Sequence, residues 1–282
     1  MAGLAVMHAI RVEALKKAFA QNQGGAESMA IDHLEFEIEA GELTAIVGRT
    51  GCGKSTFLNL LIGLDSPSSG RILIDGHVPY ENFAYFRGKI AAIFQQDRLL
   101  PWRTALQNAK LGLEVLRLPA AEQTDIAASW LDRVGLGDYL NAYPHELSGG
   151  MRQRVSMARA YSVNPDVLVV DEAFGHLDEV TAIALRKTFV ELTRGERKTA
   201  VMVTHQLDEA LDTADRILVF GRPARVLFDT RSSEWRGNLS SLRRTIHEII
   251  ESNSAGGDDR RSKPHLAFEE ENLECNKQAL HP

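Results

Sequence analysis

The sequence predicts an α/β fold: a mostly parallel sheet joined by crossover helices, with a helical insert and a small antiparallel β region. Three observations predict it. An apolar run, Leu43 to Val47, leads through a glycine-rich stretch into a helical pattern from Phe57 to Leu64. Val167 to Val170 and Ala200 to Val203 are short, continuous apolar runs, as expected of strands buried on both faces. Between Thr104 and Tyr161 apolar and charged residues recur at three- and four-residue spacing, punctuated by Pro119, Gly135, Gly137 and Pro144.

Taken in order, Ile10 to Phe19 and Ile31 to Ile38 alternate as half-buried strands do, with a polar loop from Gln21 to Ser28 between them. Residues 39–42 turn into the strand that delivers the glycine-rich stretch. Asp65 to Gly70 breaks the structure after its helix. Arg71 to Asp75 and Ile90 to Phe94 read as strands, the second ending at Gln95. After the helical insert and the Val167 strand come a helix from Glu179 to Leu192, the Ala200 strand and a short helix from Leu207 to Ala214. Arg216 to Phe220 and Arg225 to Phe228 close the sheet. Leu239, Leu242, Ile246, Ile249 and Ile250 fit one face of a C-terminal helix placed within 231–252. The tail, 253–282, is rich in Gly, Asp, Arg, Glu and Asn and is expected to be disordered and dispensable for catalysis.

Composition narrows the class. A chain of 282 residues can bury a full α/β core. Its net charge of −6 argues against a general nucleic-acid binder. No apolar run reaches the roughly eighteen residues needed to cross a bilayer, and the first ten residues do not resemble a secretory leader. Of the two cysteines, Cys52 lies in the glycine-rich stretch and Cys275 in the tail, so no disulfide framework is expected and a reducing compartment is.

The chemistry centres on Gly48, Arg49, Thr50, Gly51, Cys52, Gly53, Lys54, Ser55 and Thr56. Glycines let the backbone turn tightly and approach a polyphosphate, whose charge then meets backbone N–H groups and a helix N-terminus. Lys54 adds a full positive charge for the β- and γ-phosphates, and Ser55 a hydroxyl for Mg²⁺. A plain glycine turn needs no Lys-Ser after its last glycine, so these residues predict nucleoside triphosphate binding. The strand Val167 to Val170 ends in Asp171 and Glu172, a metal-binding carboxylate followed by a candidate general base. By itself that pair would be a buried strand leaving through two acids; the upstream loop favours the functional reading. Ser148, Gly149 and Gly150 open a helix, with Ser148 as N-cap and exposed amides as a second anion contact.

The segment Leu147 to Arg154 resembles the signature motif of the ATP-binding cassette (ABC) ATPases, and the flanking motifs fall in that family's order from Ile10 to Phe228. The resemblance implies a P-loop NTPase sheet core of ABC type over 8–230, with its helical subdomain at about 104–162. It makes Glu172 the catalytic glutamate and Asp171 the strand-end metal ligand. Gln95, preferred over Gln96, becomes the glutamine that joins the metal sphere with Ser55 and Asp171. Leu177-Asp178 resembles the D-loop, His205 the switch histidine that reads the γ-phosphate, and Phe19 the aromatic that stacks on adenine rather than packing in the core.

The implied cofactors are ATP and Mg²⁺. The implied partners are a transmembrane permease subunit and a second cassette, either another copy or a sister subunit. ATP would then lie between one phosphate loop and the other chain's Ser148, Gly149 and Gly150. A peripheral place on the cytoplasmic face of the inner membrane follows, as does a periplasmic or extracellular substrate-binding protein in the same system, with no nucleic acid. Arg98 to Trp102 and Asp171 to Asp178 are similar to importer subunits for nitrate, sulfonate, taurine and related small anions. An exporter or lipid-handling ATPase, or a soluble regulatory or DNA-associated ATPase without a permease, remains the alternative. The sequence departs from the family at Ala173, where proline is usual, and at His176, where alanine is usual. Two further expectations concern side chains. Bulk added to Cys52 should obstruct the phosphates, so alkylation should inhibit and ATP protect. Leu99 to Trp102 should either tuck under the insert or face a partner.

Overall fold

A computed structural model describes residues 8–20, 27–235 and 237–253. Most of the loop expected at Gln21 to Ser28, and the tail beyond 253, lie outside them. Among the described residues nine strands form one sheet, β1 (His8–Phe19), β2 (Ser28–Glu39), β3 (Leu43–Val47), β4 (Ser69–Ile74), β5 (Ile90–Phe94), β6 (Val167–Asp171), β7 (Thr199–Thr204), β8 (Arg216–Phe220) and β9 (Ala224–Arg231). Their spatial order is β4-β1-β2-β9-β8-β3-β7-β6-β5. β8, β3, β7, β6 and β5 are mutually parallel, while β1, β2 and β4 pair antiparallel. The mostly parallel core and the antiparallel flank are thus both present.

Alternation along each central strand sends neighbouring side chains into opposite layers. Leu168 and Val170 join one apolar cluster with the helices, and Val167 and Val169 join the other with β1 and β2. In β1 the alternation slips at Ala14, whose φ of 42° marks an irregularity in the pairing, and Ile10, Val12 and Leu15 all remain buried.

The helices are α1 (Lys54–Leu61), α2 (Ala105–Ala109), α3 (Leu111–Val115), α4 (Ala120–Arg133), α5 (Gly149–Ser162), α6 (Glu179–Gly195), α7 (Leu207–Thr213), α8 (Ser232–Trp235) and α9 (Leu239–Ser252). α2 to α5 make up the helical block between β5 and β6. The C-terminal helix starts at Leu239, not near 231. Asn238 accepts from Ser241 N–H at 3.2 Å and caps it, while residues 232–235 form a separate short helix. Leu242 and Ile246 bury the apolar face of α9 against the core. Among the described residues, no helix is long and apolar enough to cross a membrane.

Register decides where the chemistry sits. Val47 of β3 pairs with Thr204 of β7, Asp171 of β6 with Val203, and Phe94 of β5 with Asp171. The residues that follow these strand ends, Gly48, Glu172, His205 and Gln95, therefore leave the sheet along one edge. That is the carboxyl edge, where open α/β sheets bind ligands.

Candidate functional site

The glycine-rich loop is held from below. Phe57, in the first turns of α1, meets Phe36 at 5.7 Å and Phe220 at 5.9 Å between ring centroids. A Cβ on Gly48 would come within 2.8 Å of both Cys52 Sγ and the Phe220 carbonyl, so only glycine fits there. Gly53 has φ 107° and a Cβ on it would lie 2.5 Å from the Ala30 carbonyl. This left-handed residue precedes Lys54 and aims the first turn of α1 at the loop's open side. Cys52 N–H donates to the Arg49 carbonyl at 3.2 Å and closes the turn. Lys54 is buried, and its Nζ donates to the carbonyls of Gly48 at 2.6 Å and Arg49 at 3.1 Å, bracing the loop it belongs to. Ser55 is exposed and Thr56 half-buried.

The carboxylates and the histidine converge on this loop. His205 Nδ1 lies 3.2 Å from Glu172 Oε2. A cavity of about 630 Å³ is lined by Gly48, Arg49 and Thr50, by His205 and Gln206, and by Arg243 and His247 of α9. Glu172 has φ 47°, a conformation that costs a non-glycine residue roughly 1 kcal/mol. Its own N–H donates to the Val203 carbonyl at 2.9 Å and holds it there. Burial, and then the neighbouring Glu172 charge, push the Asp171 carboxyl above its ordinary range. A cation bound beside the pair would reverse that shift. Among the described residues no three His, Cys, Asp or Glu side chains group to hold a metal. The side chains the sequence assigns to the metal, the Ser55 hydroxyl, the Asp171 carboxylate and the Gln95 amide, are of the oxygen-donor types that suit a magnesium ion taking its other ligands from phosphates and water.

Phe19 ends β1 with its ring exposed and the Lys17 ammonium over it, 5.0 Å from the ring centre. Gln95 is exposed at the end of β5. Ser148 caps α5 by accepting from Met151 N–H at 3.3 Å. Gly149 and Gly150 pack towards Leu177 and Thr181, and none of the three lines either cavity beside the phosphate loop. Glu172 is paired with His205, which shares a cavity with Gly48, Arg49 and Thr50, and Asp171 lies in the field of Lys54, whereas Gly149 and Gly150 meet the loop before α6 and its first turn.

The expectation for Cys52 needs correcting. Its side chain turns inward, is 2% exposed and packs in the apolar cluster with Phe57 and Phe220. Burial raises its pKa, so little nucleophilic thiolate forms near neutrality. Native Cys52 is expected to react with a maleimide at least tenfold more slowly than in denaturant, as followed by site-resolved mass spectrometry. Equal rates would place the thiol on the phosphate side after all.

Sequence reasoning passed over several polar side chains that shape the edge. Buried Glu209 accepts from Thr204 Oγ1, and Gln206 N–H donates to the same hydroxyl at 3.0 Å, fixing the turn that carries His205. The signal was present in the Asp208-Glu209 pair of the first turn of α7. Asn108, fully buried, bonds Leu100 N–H at 2.8 Å and the carbonyls of Leu100, Arg103 and Thr104. It clamps a segment that splits in two: Leu99 is half-buried against the core and Trp102 is 70% exposed.

Known proteins agree with this geometry. The family described as ABC transporter matches residues 31–175. The taurine import ATP-binding protein TauB of Rhizobium johnstonii is 37% identical over 238 residues, covering 79% of this chain and 89% of that protein. The bicarbonate transport ATP-binding protein CmpC of Synechocystis sp. is 40% identical over 212 residues, 74% of this chain and 31% of that longer protein. A dimeric ATP-binding cassette solved in a post-hydrolysis state with ADP and phosphate superposes with a TM-score of 0.70 at 29% identity, covering 79% of this chain and 98% of that one. With its phosphate loop, strand-end carboxylates and histidine on one sheet edge, this chain belongs to the ABC transporter family as an ATP-binding, ATP-hydrolysing subunit.

Proposed function

We propose that the chain energises a membrane permease that imports a small anion of the nitrate, sulfonate or taurine kind, and that it works as a pair of cassettes. The observation that carries the catalytic part is the Glu172–His205 pair at 3.2 Å, whose histidine lines a cavity together with Gly48, Arg49 and Thr50 of the phosphate loop. The likeness to taurine and bicarbonate subunits supports import, and their differing cargoes leave the anion itself to experiment.

In this reading the catalytic unit is 8–230 with its helical part at 104–162. Residues Gly48 to Thr56 cradle the phosphates, and Lys54 turns from its own loop's carbonyls to the β- and γ-oxygens. Ser55, Asp171 and Gln95 would hold Mg²⁺, which when bound offsets phosphate charge. Glu172 orients the attacking water and takes its proton. His205, held by Glu172 and the Thr204 turn, contacts the γ-phosphate. Phe19 stacks on the adenine. Ser148, Gly149 and Gly150 reach the phosphates of the other cassette. The subunit sits on the cytoplasmic face of the inner membrane beside its permease, in a system with an external binding protein.

Trp102 is the anchor on the permease side, large, exposed and presented by the Asn108 clamp. Trp102→Ala should leave the melting temperature and ATP affinity unchanged and weaken capture of the permease by about tenfold or more. A pull-down from detergent-solubilised membranes, run beside a melting curve, measures both. Normal capture and transport would remove Trp102 from the interface. Failure of the wild-type subunit to capture any multi-span protein would contradict the transport reading.

A further inference from the structure

Past Phe94 the chain leaves the sheet, and its carbonyls lose their ladder partners. Side chains take them over. Gln153 Nε2 donates to the Phe94 carbonyl at 3.1 Å, and Arg159 donates to the carbonyls of Asp97 at 2.7 Å and Arg98 at 2.9 Å. Arg152 Nε pairs with the Asp97 carboxylate at 3.0 Å. All three donors stand on α5, the helix capped by Ser148. The Gln95 carbonyl is met from the other side. His176 Nε2 bonds it, reaching over from the loop between β6 and α6, four residues after Glu172.

A carbonyl oxygen only accepts, so Nε2 carries the hydrogen in this contact. The same loop is tied to the sheet by Glu172 N–H on the Val203 carbonyl, and Gly175 lies close to the side-chain amide of Gln206. The segment 94–98 is therefore strapped to α5 by three side chains and to the Glu172 loop by one imidazole. An alanine at this position would have no donor to make the last link.

We propose that His176 is a positioning residue: its bond to Gln95 locks the segment leading into the helical block to the loop that carries Glu172. A shift of the helical block then moves the Glu172 loop with it, and the loop's strained conformation is held from both ends. The inference rests on the reading of Glu172 as the group that activates water.

The test compares the full chain with His176→Ala, His176→Gln and Glu172→Gln. It follows phosphate release, ATP affinity, melting temperature and amide hydrogen exchange at residues 95–98. His176→Ala should lower kcat about three- to tenfold, the scale of one lost hydrogen bond. KM, ATP affinity and melting temperature should stay near wild type, and exchange at 95–98 should quicken. His176→Gln, whose amide nitrogen can occupy the place of Nε2, should recover at least half of kcat and the slow exchange. A kcat for His176→Ala within twofold of wild type would overturn the proposal, as would equal impairment of the alanine and glutamine variants. Near-normal hydrolysis by Glu172→Gln would instead overturn the reading of Glu172, while the exchange data would still report on the His176 link.

Discussion

Glu172→Gln is expected to bind ATP as wild type does and to release phosphate at least about 100-fold more slowly, the usual contribution of a positioned general base. The substitution keeps the shape of the side chain and its polar contact with His205 Nδ1, 3.2 Å away. It removes only the capacity to take a proton from water. The left-handed backbone at this residue, φ 47°, strains glutamate and glutamine alike, so the fold should not register the change. Steady-state phosphate release settles the matter, and a rate near wild type would assign the proton to another group. Asp171, whose carboxyl is pushed up by burial and by Glu172 itself, would be the first place to look.

Lys54→Ala should weaken ATP binding by about 10- to 100-fold, the worth of a charge-assisted hydrogen bond to phosphate. The ammonium is buried and is satisfied by two carbonyls of its own loop, at 2.6 and 3.1 Å. Those carbonyls are neutral acceptors. A triphosphate offers full negative charge and displaces them. Truncation also leaves the Gly48 and Arg49 carbonyls without that donor, so a modest drop in melting temperature accompanies the loss. Titration with a fluorescent ATP analogue reads the affinity, and an unchanged dissociation constant would contradict the role.

Much of the sheet was legible because its strands are short apolar runs with sharp polar ends. Leu43 to Val47, Ile90 to Phe94 and Arg216 to Phe220 fall where the sequence places them. The convergence of Gly48, Glu172 and His205 was legible through motif order, and the parallel register supplies its physical cause. The first turn of α1 was not legible, because Lys54, Ser55 and Thr56 carry no apolar face. Cys52 was misjudged because residue type tells nothing about which way a tight loop turns a side chain. His176, Asn108 and Glu209 were overlooked or read only as departures. Each acts through side-chain hydrogen bonds that no hydrophobic period encodes: His176 reaches Gln95, Asn108 holds Leu100, Arg103 and Thr104, and Glu209 holds Thr204.

The central claim is that the complete nucleotide site needs two cassettes, since Gly149 and Gly150 pack towards Leu177 and Thr181 and Ser148 to Gly150 line neither cavity beside their own phosphate loop. Sedimentation velocity of Glu172→Gln with Mg²⁺ and saturating ATP tests it most directly. The account predicts a species of twice the 31.2 kDa chain mass that requires ATP and disappears with ADP. A monomer at saturating ATP, from protein shown to have bound it, would contradict the account.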